Sequence, residues 1–101
     1  MSMSEFEFDN AVYTWKHFSR FVKVAPVELG WLVLWGHYRD LGRTRDLAGQ
    51  RTYIDLAGAR RRVADAVFEL TRNPSLVTEA LVLFDRTRFP DHRAAPPPPP
   101  L

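Results

Sequence analysis

Apolar residues recur along this chain with the three-and-four spacing of helix faces. From Asp9 or Asn10, either of which can cap a helix, Val12, Trp15, Phe18 and Val22 fall on one side, with Lys16, Arg20 and Lys23 elsewhere. Pro26 ends that helix and suits the first turn of another. The spacing predicts helices over residues 10–24 and 26–41. In the second, Trp31, Leu34, Trp35, Tyr38 and Leu41 form a stripe that Val27, Leu32 and Val33 widen. A helix apolar over so much of its circumference sits at the centre of a bundle or faces two partners. Gly30 and Gly36 cost helix propensity, about 1 kcal/mol each relative to alanine, and permit close approach of a neighbouring helix. Gly42 is a helix stop.

The next stretch, "RTRDLAGQRTYIDLAGARRR", says nearly the same thing twice. Asp46-Leu47-Ala48-Gly49 predicts a short helical turn near residues 44–49. Thr52 or Asp55 caps a longer helix over 52–72, with Leu56, Ala59, Val63, Ala66, Val67 and Leu70 inward. Asn73-Pro74 is a stop-and-start signal, with asparagine as N-cap and proline at the first helical position. The last helix, over 74–87, presents Val77, Ala80, Leu81 and Phe84. No stretch carries an Asn-Gly or Asp-Gly hairpin turn. "EFEF" near the start alternates in the strand manner but has no obvious hairpin partner. The expected fold is therefore all-α: one helical domain over 9–89, a small bundle of about four helices, between an N-terminal arm (1–8) and a proline-rich extended tail (90–101).

Composition adds a tension to this picture. A chain of 101 residues has a thin core, yet 46% of its residues are hydrophobic, Trp15, Trp31 and Trp35 among them. An apolar surplus on a small domain commonly ends in an interface, which points to self-association or docking into a larger assembly. The chain has no cysteine, so disulfides and thiolate metal sites are excluded. The acidic N-terminus lacks the order of a signal peptide, and "GWLVLWG" is too short to span a bilayer. A soluble, cytoplasmic protein is expected.

The net charge of +2 is unevenly placed. Residues 39–62 hold seven arginines against three aspartates, a net +4. Arginine suits bidentate recognition of phosphate and carboxylate. A helix-turn-helix reading of this stretch fails in both registers of the echo. With Ala48 as the small residue of the first helix, Thr52 stands where glycine belongs; with Ala57, Arg60 and Arg61 fall in the turn. A looser winged-helix arrangement keeps Arg60, Arg61 and Arg62 at the start of a reading helix.

No catalytic constellation emerges. His17, His37 and His92 lie in three segments, without the i, i+4 pair of a helical metal site. The carboxylates sit mostly beside arginines, and "GRTRDLAG" lacks the Gly-Lys-Ser/Thr ending of a phosphate loop. The sequence points to no enzyme, cofactor, metal or small-molecule substrate. The leading expectation is a noncatalytic small helical subunit or adaptor acting through protein–protein contacts. Its anchors would be Trp31, Trp35 and Tyr38, since interface cores favour aromatics, and Pro96, Pro98 and Leu101 of the tail "APPPPPL", a polyproline II ligand pattern. The competing expectation is a nucleic-acid-associated regulator that uses Arg43, Arg45, Arg51, Arg60, Arg61 and Arg62.

Overall fold

The computed structural model describes residues 10–90; the two predicted arms, with Pro96, Pro98 and Leu101, lie outside the described residues apart from Pro90. Within them the expected helical bundle is overturned. The first half of the chain is an antiparallel sheet of four strands, β1 (Tyr13–His17), β2 (Arg20–Val27), β3 (Gly30–Arg39) and β4 (Thr44–Tyr53), paired in chain order. Two helices follow, α1 (Leu56–Thr71) and α2 (Pro74–Arg86), so the fold is α+β. Strands therefore replace the helices expected over 10–24 and 26–41 and the turn near 44–49.

The physical reason is burial on two sides. Along β2, Phe21, Val22, Val24 and Ala25 are all buried, and β3 is buried from Gly30 through Leu34. A strand covered on both faces reads as a continuous apolar run, which periodicity alone does not separate from a buried helix. Valine, tryptophan, phenylalanine and tyrosine fit the pleated surface, and they dominate here. Pro26, read as a helix start, is tolerated near the end of β2, beyond the last residue paired to β1, Val24.

One sheet face carries the core. Tyr13, Trp15, Val22, Val24, Trp31 and Val33 pack against Ala59, Val63, Ala66 and Val67 of α1 and Ala80 and Phe84 of α2. The helices are well delimited. Asp55 Oδ1 accepts from the Gly58 N–H (2.8 Å) at the start of α1, and Arg72 closes its end in the left-handed conformation at φ 55°. Asn73 Oδ1 accepts from the Ser75 N–H (2.9 Å), with Pro74 opening α2. Arg20 Nε donates to the Leu70 carbonyl (2.8 Å), tying β2 to the last turn of α1.

Two backbone features shape the sheet. The pairing of β3 with β4 slips between Trp35 and Gly36, leaving Ala48 as an extra residue in β4. At the β3–β4 turn, Asp40, Leu41 and Gly42 all have positive φ (53°, 58° and 91°). Leu41 and Phe18, assigned to helix faces by spacing, instead stand exposed at two hairpin tips.

Tyr13 joins the sheet to α2 through a polar contact, its phenol donating to the Ala80 carbonyl (2.8 Å). Burial, and secondarily the Glu79 carboxylate, push the phenol far above its ordinary range. The neutral phenol is thus favoured by folding. Its contribution is complete below the unfolded-state value of about 10 and declines as pH rises beyond it. Tyr13→Phe should lower stability by about 1 kcal/mol at neutral pH. Urea titrations at rising pH should show the wild-type advantage shrinking above about pH 10.

Candidate functional site

The arginines that crowd the sequence are sorted by the fold into different places. Arg51, near the end of β4, and Arg61 and Arg62, in the second turn of α1, meet around an open groove of about 480 Å³ that Tyr53, Asp55 and Asp65 also line. The turn between Tyr53 and Leu56 brings strand and helix together here, and the Asp55 cap fixes where the helix begins. Arg60 points elsewhere: its Nε and Nη2 each donate to Asp85 of α2 at 2.8 Å. That paired geometry holds the Asp85 carboxyl below its usual range, chiefly through the hydrogen bonds from Arg60. Arg45 pairs with Tyr38 in the register of β3 and β4, on the sheet face away from the helices, and Arg43 is exposed after the turn. Six residues of strand, about 20 Å, separate Arg45 from Arg51.

Arg62 is the most constrained of the set. Its guanidinium carbon lies 4.1 Å from the centroid of the Trp35 ring, and its Nη2 donates to Glu69. Only 15% of its side chain is exposed, and its Nε has no hydrogen-bond partner among the described residues. On the β4 side, a Cβ built on Gly49 would lie 2.4 Å from the Trp35 ring, so the indole rests directly on that glycine. Trp35 is thereby held between Gly49 and Arg62, and the Arg62 charge is carried mostly by the fold. Arg51 lies over the Tyr53 ring at 5.7 Å, and Arg61 is exposed. These two are the groove arginines that are open to solvent.

Of the predicted aromatic anchors, Trp31 is 4% exposed within the core and meets Phe89 edge-on at 5.3 Å. Trp35 is half-buried beneath Arg62, and Tyr38 lies on the opposite sheet face beside Phe21 at 4.9 Å. The fold does not bring the three together. Sequence reasoning did not single out Tyr53, Asp55 or Asp65 as groove residues. The alternation of Arg51 and Tyr53 around Thr52 was the available signal, since strand spacing puts both on one face. At the sheet's ends, Phe18 (80% exposed) and Leu41 flank one set of turns, and Leu29 and Ile54 stand at the other.

Among the described residues, no group of three His, Asp or Glu side chains is placed to hold a metal ion. None of the described helices is long and apolar enough to cross a membrane. Comparison with protein-family models, curated proteins and solved structures finds no match to the chain.

Proposed function

We propose that the protein is a noncatalytic adaptor that binds an acidic, extended segment of a partner protein along the groove between β4 and α1. The observation that carries this reading is the convergence of Arg51 and Arg61 beside Tyr53 on one open groove. Among the described residues, β4 has no strand neighbour other than β3, so the groove runs beside a sheet edge. Strand addition at such an edge uses main-chain hydrogen bonds for affinity and alternate side chains for specificity. Glutamates on one face of the added strand would meet Arg51 and Arg61, and the Tyr53 ring offers apolar contact between them.

A nucleic acid is the competing ligand, favoured by the net +4 of residues 39–62. Internal pairing reduces that field. Arg60 is held by Asp85 and Arg62 by Glu69, two carboxylates outside that stretch. Asp55 and Asp65 add negative charge inside the groove itself, which opposes a polyphosphate more than a segment with spaced carboxylates.

The test is fluorescence anisotropy with a labelled peptide of alternating glutamate and valine, beside a labelled single-stranded oligonucleotide. The peptide should bind, and the double variant Arg51→Glu/Arg61→Glu should weaken it by about tenfold or more. Oligonucleotide binding that weakens steeply with salt, alongside failure of the peptide, would replace this reading with the nucleic-acid one.

A further inference from the structure

The middle of the sheet's second face, at Phe21, Ala25, Leu32 and Leu34, is buried although these residues lie outside the core that the helices form, while Leu47 at its edge is exposed. By the register of the strands, Phe21, Ala25, Leu32, Leu34, Tyr38 and Leu47 share this face. Lys16, Lys23 and Arg45 lie among them, with the Lys16 ammonium 5.0 Å from the centroid of the Tyr38 ring. Phe21, Ala25 and Leu34 have 0% exposure, yet they stand outside the cluster that α1 and α2 form with the opposite face. Side chains on an uncovered sheet face keep contact with water. Complete withdrawal at three positions on two strands requires a cover, and no described helix or strand supplies one.

We propose that this cover is the chain's own N-terminal segment, residues 1–9, laid across the second face with Phe6 and Phe8 against Phe21, Ala25 and Leu34. The chemistry of the segment fits the surface. "EFEF" at 5–8 alternates, so an extended backbone puts Phe6 and Phe8 on one side. Glu5, Glu7 and Asp9 are all anionic, and the surface they would flank carries Lys16, Lys23 and Arg45. These long stems lie along apolar surface while their charged ends reach outward to carboxylates at the segment's edge.

Reach and connection agree. Asn10 stands three residues ahead of β1, and just before the strand the Val12 N–H donates to the Val24 carbonyl (2.9 Å). Nine extended residues span about 30 Å, and the four strands are about 15 Å across. The segment at the other end of the chain is a poorer match. Phe89 is anchored on the helix side, 4.6 Å from Phe84 and 5.3 Å from Trp31. The last described residues thus lie on the opposite layer, and residues 91–101 carry a single carboxylate side chain, Asp91.

Nuclear Overhauser spectra of the full-length, isotope-labelled protein test the proposal without any partner, and so independently of the groove. Ring protons of Phe6 and Phe8 should show contacts to the methyl groups of Ala25 and Leu34. A mixed sample of labelled and unlabelled chains should show none of these contacts between chains. The double variant Phe6→Ala/Phe8→Ala should lower Tm by about 10 °C or more and speed amide exchange in β2 and β3. Contacts appearing only between chains would assign the face to a second copy and overturn the proposal. Contacts from the proline-rich segment instead, or no contact from either phenylalanine, would overturn it as well.

Discussion

Gly36→Ala should destabilise the protein by about 4 kcal/mol, a large part of the roughly 5–15 kcal/mol that holds a domain together. A Cβ at this position would lie 2.1 Å from the Asp46 carbonyl oxygen and 2.9 Å from both the Ala48 nitrogen and the Leu47 Cα. All three are backbone atoms, so no side-chain tip can swing aside. Relief requires β3 and β4 to separate at the bulge, which breaks the ladder on either side of it. Urea unfolding followed by tryptophan fluorescence measures the loss. Gly42→Ala is the companion control. Gly42 has φ +91° but open space around its Cβ position, so alanine there costs only backbone strain, about 1 kcal/mol. Equal effects from the two substitutions would mean that Gly36 does not approach β4 as described.

The second large effect belongs to Trp15. Trp15→Ala should cost about 4 kcal/mol, because it empties a site that is 2% exposed in the middle of the sheet-and-helix core. The comparison with Trp15→Phe sharpens the reading. The indole Nε1 is buried with no hydrogen-bond partner among the described residues. Phenylalanine removes that unmatched donor while keeping most of the apolar volume, and the two changes partly offset each other. Calorimetry should place Trp15→Phe within about 1.5 kcal/mol of wild type. A phenylalanine variant as unstable as the alanine one would show that the indole N–H has a partner after all.

The C-terminal half of the fold was legible and the N-terminal half was not, for one physical reason. Asp55 and Asn73-Pro74 are local capping signals, and α1 and α2 each bury a single stripe, so their spacing shows in the sequence. β2 and β3 bury both faces, and the resulting run "GWLVLW" erases the period of two that marks a half-exposed strand. Trp15 and Val22 do face the same way, but as residues paired across two strands rather than as turns of a helix. The hairpin turns hid equally well. Phe18 takes positive φ without glycine, and "DLG" carries the β3–β4 turn in place of Asn-Gly. At the site, the composition located the basic stretch but not its division. Successive residues on a helix point about 100° apart, so Arg60 turns to Asp85 while Arg61 and Arg62 turn to the groove.

The order in which the strands pair has a consequence for how the chain assembles. Among the described residues, each strand after the first bonds to the one before it in sequence, and the helix hairpin follows the completed meander. None of the described strands pairs with a described segment distant in sequence, so each pairing step closes only a short loop and the entropy lost per step stays small. The sheet can grow by successive hairpins, and the docking of α1 and α2 onto its apolar side completes the core. That docking also creates the arginine groove, because Arg51 comes from the sheet and Arg61 from the helix. The groove proposed above as the binding site therefore exists only once the two layers have met.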